Sequence, residues 1–355
     1  MKMKREAGFT LIELLVSLAV TVVLILGVLA TFDFSARMNR VQLNVADMQQ
    51  SLRIAQNEIV KLARMTGRGS LPRPIAVDVR NNVAANYKLI SGQAATAVLE
   101  GTDVVTMRGV FNSSLYQIEY LNPKVWNDPD ADKIGWVVVL PAAAGVPQDL
   151  DALELIATPG ETLLLVTPFG VTAVAEITGS GDAPIVVNDE DDEDSVPVTV
   201  TGLKISFKKH LYEASLGILA SGLPVVAQVG VLEEHVFYVR STGADGVAPS
   251  LARARMNPGS GQAYKLNVDN ATLDIADNIA DLQVAQPGLA VAGEPELRVS
   301  TLARTDRADP GNYQATLLPA TIEDHAYAAN HPFNSTTGRR YRWRLMRTDV
   351  NMRNL

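Results

Sequence analysis

From Phe9 to Phe32 the chain is apolar at nearly every position, with Glu13 the single ionisable residue among 24. At a helical rise of ~1.5 Å per residue this run is about 36 Å long, enough to cross a hydrocarbon layer of ~30 Å. The pattern then changes without a break. Phe34, Met38, Val41, Val45, Met48, Leu52, Ala55, Ile59 and Leu62 recur at alternating spacings of four and three, with Arg37, Arg40, Gln49, Gln56 and Lys61 on other faces. No proline or glycine interrupts Val28 to Thr66, and Gly67-Arg68-Gly69-Ser70-Leu71-Pro72 is a stop signal. The spacing predicts one helix of about 85 Å from Phe9 to about Met65. The apolar stripe of its second half either zips to another helix as a coiled coil or is covered by a sheet of the same chain. The strand-rich chain that follows favours the sheet, because strands need a partner layer.

Beyond the stop, short β runs alternate with turn signals. Asp103–Arg108, Ser114–Leu121 and Ile134–Leu140 come first. Thr162–Thr167 and Val171–Ile177 flank Pro168-Phe169-Gly170 as a hairpin, and Val196–Lys208, Val225–Leu232 and Glu234–Arg240 follow. Ala263–Asn267 comes after the Asn257–Gly261 turn, and Leu297–Leu302 and Arg340–Arg347 close the series. Val268–Ala280 is ambiguous and admits a short helix before Leu282–Ala285. There is no tandem repeat of the length that builds solenoids or propellers. The expected fold class is α+β, a long N-terminal helix packed on an antiparallel β-rich head.

Composition narrows the chemistry. The 355 residues are 47% hydrophobic and 20% charged with a net charge of −8, a globular balance that excludes a disordered chain or a multi-span membrane protein. The absence of cysteine excludes disulfides, a thiol nucleophile and cysteine-ligated metals. There are four histidines, and His325 and His331 lie in a polar stretch that reads as exposed surface. No nucleophile elbow, phosphate loop or His-Glu-x-x-His motif occurs, so nothing points to an enzyme.

Ahead of the apolar run stand Lys2, Lys4 and Arg5 against Glu6. A basic leader stays on the cytoplasmic side and sends the rest of the chain outward. The run exceeds the ~7–15 residues of a secretory signal's apolar region and continues as helix, so it reads as an anchor. Glu13 is then a carboxylate at bilayer depth, which calls for a partner or a function. A cut between Gly8 and Phe9 would give Phe9 a cationic α-amine, and a neighbouring helix shifted by about one turn would set that amine against Glu13. The alternative is a protonated Glu13 in a plain signal anchor.

The stretch Lys4-Arg5-Glu6-Ala7-Gly8-Phe9-Thr10-Leu11-Ile12-Glu13-Leu14-Leu15-Val16 resembles the class III leader and cleavage site of type IV prepilins and pseudopilins. The resemblance implies a leader over residues 1–8, cleavage after Gly8, N-methylation of Phe9 by prepilin peptidase, and a role for Glu13 in recruitment and register. Major pilins commonly carry a helix-breaking proline in the outer half of this segment; here only Gly27 is a weak point. Towards the C-terminus, Glu234–Arg240, Ser250–Arg253, Asn278–Val284, Leu297–Arg304 and the Arg339–Leu355 ending follow in an order similar to PilW-type minor pilins. These are relatives of the J-type pseudopilins of type II secretion. The division implied is a stem over 9–66, a β-rich elaboration over 70–220 that matches nothing nameable, and a PilW-like β region over 221–355. The function implied is a minor pilin made in the bacterial inner membrane with a periplasmic head, later part of a surface pilus at or near its tip. Its partners would be minor and major pilins, the peptidase and the inner-membrane assembly machinery. The alternatives are a secretion pseudopilin, a tip adhesin or a DNA-uptake subunit.

Three charged segments remain. Asp128, Asp130 and Asp132 alternate between Trp126 and Trp136 and offer clustered oxygens that suit calcium, although Lys133 and Val139 replace key positions of an EF-hand loop. No other cofactor is indicated. Asp189 to Asp194 is an unbroken acidic run that reads as an exposed hairpin tip. Between Gly338 and Leu355 there are six arginines and one aspartate, a pattern open to DNA phosphates or to acidic loops of this chain and its neighbours. Removing a leader with three basic residues and one acidic residue takes the chain from −8 to −10, which disfavours bulk attraction to DNA.

Overall fold

The structure is a computed structural model that describes residues 10–84, 87–90, 97–118, 120–122, 135–143, 145–187, 198–209, 226–240, 249–260, 262–263, 272–286, 296–309, 318–327 and 332–352. Helix α1 (Leu11–Met65) leads the chain, and α2 (Arg73–Ala76) and α3 (Leu150–Ile156) are short. Strands β1 (Val77–Arg80), β2 (Val104–Gly109), β3 (Tyr116–Gln117), β4 (Tyr120–Asn122) and β5 (Gly135–Val139) open the head. The small pair β6 (Ala142–Ala143) and β7 (Val146–Pro147) precedes β8 (Thr162–Val166), β9 (Thr172–Val187) and β10 (Val198–Lys209). Next come β11 (Gln228–Arg240), β12 (Ser250–Asn257), β13 (Gln262–Ala263) and β14 (Thr272–Asp277). The chain ends with β15 (Ile279–Ala285), β16 (Glu296–Arg304), β17 (Thr321–Ile322), β18 (His325–Ala326) and β19 (Trp343–Asn351).

One large sheet follows the order β1-β2-β11-β8-β9-β10-β5-β4, with β12, β13, β14 and β3 branching from it. Strand β11 is the shared element. Its first half, Gln228–Leu232, pairs with β8, and its second half, from Glu233, pairs with β2 on one side and β12 on the other. Such a switch divides the sheet into two lobes that share one strand. The distal lobe closes around Val137, Leu163, Leu165, Ile177, Ile205, Phe207 and Leu153 of α3. A separate three-stranded sheet, β15-β16-β19, lies on the stem. All named pairings are antiparallel, and the fold is α+β as expected.

The stem meets its own sheet. Met48, Leu52, Ala55, Ile59, Leu62 and Ala63 are buried with Met107, Phe237, Leu251, Val299 and Val350 in one core. A coiled coil is therefore not what covers this half of the stripe. Gln56, expected on another face, is buried as well. A sheet covers a wider arc of a helix than a coiled-coil seam does, so positions beside the strict stripe are covered too.

Several strand expectations need correction. Val225–Leu232 and Glu234–Arg240 are one strand from Gln228, because Glu233 is no break. Its buried carboxylate accepts Asn112 N at 3.1 Å and Asn112 Nδ2 at 2.7 Å. Ser114–Leu121 is split into β3 and β4. The described part of Val268–Ala280 is strand, not helix: Asn278, at φ 64°, turns the chain from β14 into β15. Arg340 belongs to a 3₁₀ turn, and the final strand begins only at Trp343.

Candidate functional site: the stem helix and its N-terminal end

The helix starts with a reciprocal cap. Thr10 is extended, and its Oγ1 accepts the Glu13 amide at 3.3 Å. Glu13 Oε2 in return accepts Thr10 N at 3.0 Å and Thr10 Oγ1 at 2.9 Å. Two amides that a helix start leaves without partners are satisfied this way. Glu13 is thus held at the start of the helix by its own turn. Thr10 was missed as a site residue, although Thr10-x-x-Glu13 is the sequence signature of this box.

Behind the cap, the large apolar side chains from Leu11 to Phe34 stand exposed on a helix long and apolar enough to cross a membrane. The few hydroxyls along it turn inward. Ser17, Thr21 and Thr31 donate to the carbonyls of Leu14, Ser17 and Gly27 at 2.9, 2.7 and 2.9 Å. That leaves apolar surroundings no unsatisfied side-chain donor to solvate between Ser17 and Thr31. The helix runs through Gly27 without interruption, and nothing lies within 4 Å of where a Cβ would sit there.

Further along, Phe34, Met38 and Leu43 remain exposed on the stem, and the head takes over from Val45. Gln56 Nε2 donates to Thr301 Oγ1 and to Met346 O at 3.1 Å each, and to Val299 O at 3.4 Å, which ties the stem to β16 and β19. Glu58 pairs with Arg253 of β12 on the large sheet. The stem is therefore held by both sheets.

Gly8 and Phe9, the expected cleavage pair, lie outside the described residues, as do Asp128, Asp130, Asp132, the acidic run 189–194 and His331. Among the described residues no group of three acidic or histidine side chains is placed to hold a metal. His325 is not surface: it is buried and its ring centroid lies 4.4 Å from that of Tyr327. Two of the C-terminal arginines, Arg342 and Arg347, meet carboxylates of this chain, and the last strand's Asp349 meets an arginine of β16. Arg342 Nε bonds Asp309 Oδ2 at 2.7 Å, Arg347 Nη2 lies 3.1 Å from Glu323, and Arg298 of β16 bonds Asp349 at 2.8 Å.

Residues 3–29 match the prokaryotic N-terminal methylation motif. The N-terminus is of the prepilin type. The motif supports a type IV pilin-like protein, and the exposed apolar helix behind it fits anchoring in a membrane. A methylation-motif stem carrying a β-rich head points to a structural subunit rather than a catalyst. No curated protein and no solved structure matches the chain.

Proposed function

We propose that the chain is a minor pilin of the PilW kind, cut between Gly8 and Phe9 by prepilin peptidase, N-methylated at Phe9 and built in at or near the tip of a type IV pilus, where it helps to start the filament. The observation that carries this is the methylation motif running directly into an unbroken, uncovered apolar helix. An apolar surface of that length has two places to go, a bilayer before assembly and the stems of other pilins afterwards. Once the leader is gone, the cation nearest to Glu13 in a bundle of such stems is the Phe9 amine of a neighbour. Both bonds that Glu13 makes to Thr10 use Oε2, so Oε1 is the atom for that amine. In apolar surroundings a pair of this kind sets register, because a one-turn slip would strand both charges. Major and minor pilins, the peptidase and the inner-membrane machinery are the partners this role requires.

The test compares processed protein in membranes with protein in sheared pili for wild type and Glu13→Ala. Normal cleavage with depleted pili supports the pairing. Equal incorporation at equal membrane levels refutes it and leaves Glu13 a cap residue of a membrane anchor.

A further inference from the structure

The place where the three-stranded sheet joins the large sheet is built around two buried carboxyls. Asp103, fully buried just ahead of β2, accepts Asn82 N at 2.8 Å on Oδ1 and Val284 N at 2.7 Å on Oδ2, while its own amide donates to Leu282 O at 2.8 Å. It therefore replaces a strand along the free edge of β15. Asp281, on β15 and 2% exposed, accepts Tyr327 Oη on Oδ2 and Gln283 Nε2 at 2.9 Å on Oδ1. Gln283 Nε2 also donates to Gly101 O at 2.9 Å, and His325 Nδ1 bonds the same carbonyl. Gly101 is at φ 78° and leaves no room for a side chain, since a Cβ there would sit 2.5 Å from His325 Cε1. Four segments converge here: the turn after β1 at Asn82, residues 101–103, β15 and the β17–β18 hairpin.

The charges in this join do not balance. The hairpin adds Glu323 and Asp324 at its turn, and β1 adds Asp78 across a cleft of about 520 Å³ that these residues share with Val284 and Gln286. The nearby cations, Arg347 of β19 and Arg298 of β16, reach Glu323 at 3.1 and 4.0 Å. Among the described residues no lysine or arginine pairs with Asp103 or Asp281. His325 and Tyr327 are the other titratable groups facing them.

We propose that this join is a proton-held latch: the neutral carboxyl of Asp281, backed by Asp103, keeps the three-stranded sheet and the β17–β18 hairpin docked on the large sheet, and ionisation loosens them. Burial pushes the Asp281 carboxyl up to about 8 against the Gln283 bond, with Asp103 and Asp324 adding to the rise. Burial pushes Asp103 up to about 6 against its two amide bonds. A carboxyl that holds its proton more tightly when folded stabilises fully below its unfolded value of ~4 and loses that contribution as pH climbs through the folded one. The latch is thus firm in acid and weakened by about pH 8. Because β16 and β19 cover Leu52, Gln56 and Ile59, it also governs how tightly the head grips the stem. None of this depends on the pilin assignment.

Amide hydrogen exchange of the full chain in detergent micelles, from about pH 5 to about pH 9 with intrinsic rates divided out, reads the latch directly. Opening of 279–285 and 321–327 is expected to rise about tenfold per pH unit, more steeply where Asp103 also titrates, and to level off near pH 8, while 162–177 in the distal lobe stays protected. Asp281→Asn should abolish the rise above about pH 6. Tyr327→Phe, which removes the hydroxyl partner of Asp281 Oδ2, should move the levelling point away from its wild-type pH. Opening in the wild type that does not change with pH overturns the proposal, whatever the variants do. So does an unchanged slope in Asp281→Asn, or a wild-type levelling point in Tyr327→Phe.

Discussion

At the scale of single residues, three polar side chains on the stem work in two opposite settings. Thr10 and Glu13 satisfy each other at the exposed start of the helix, whereas Gln56 is buried between helix and sheet. Losing an N-cap hydroxyl costs about 1 kcal/mol, while breaking a buried charge pair costs ~3–5 kcal/mol. Thr10→Ala should therefore lower pilus incorporation only mildly and Glu13→Ala strongly, as measured by quantifying both variants in sheared filaments. Similar losses for the two would mean that Glu13 acts through the cap alone. For Gln56, Ala leaves a cavity and removes three donor contacts, so a drop of about 2 kcal/mol in unfolding free energy is expected. Gln56→Met, which refills the space, should lose less, and urea melts in micelles would rank the two. Glu13 was legible in the sequence as a lone charge in an apolar run. Gln56 was not, because a stripe counted at four and three excludes the neighbouring position that a broad sheet still covers. Asp103 and Asp281 were equally hidden: an aspartate at the start of the run Asp103–Arg108 and one within Asn278–Val284 carry no local sign of burial until the long-range pairing brings them together.

The elements divide by how local their cause is. Helix α1 depends on spacing within one segment, and its existence, its end at Met65 just before the Gly67 stop signal and its sheet-facing stripe could all be read from the chain. Uninterrupted apolar strands such as β8 and β5 announce themselves in the same way. What could not be read was set by tertiary partners. Glu233 stays within β11 because Asn112 satisfies its carboxylate, and β14 turns into β15 because Asn278 takes a left-handed conformation. The stem's division into a covered and an uncovered half makes a prediction at this scale. Leu52→Ala, in the covered half, should cost ~2–5 kcal/mol in the isolated protein. Phe34→Ala and Leu43→Ala, at 66% and 64% exposed positions, should change melting by no more than about 0.5 kcal/mol. Their effect should appear only in filament yield. A large melting shift from Phe34→Ala would place that residue in a contact within the chain and would count against an open stem.

Across the whole molecule the helix-then-sheet order was visible in the sequence, and the way the head is tied together was not. Strand β11 pairs with β2 and β8, which precede it by more than a hundred and more than sixty residues respectively, and no local pattern encodes which strands will meet. The result is a head gripping the second half of a helix whose first half it leaves bare. That arrangement suits a subunit that must stand in a membrane and later pack against other stems. The proposed role of Glu13 in assembly rests on the short leader being removed, since only a free Phe9 amine can neutralise a neighbour's Glu13 in an apolar bundle. The most direct measurement is the mass of the N-terminal peptide of the protein purified from membranes of cells with active prepilin peptidase. The account predicts a peptide that begins at Phe9 and carries one methyl group on its amine. A peptide that still begins with the Met1–Gly8 leader, or a Phe9 buried within a longer uncut chain, would contradict it.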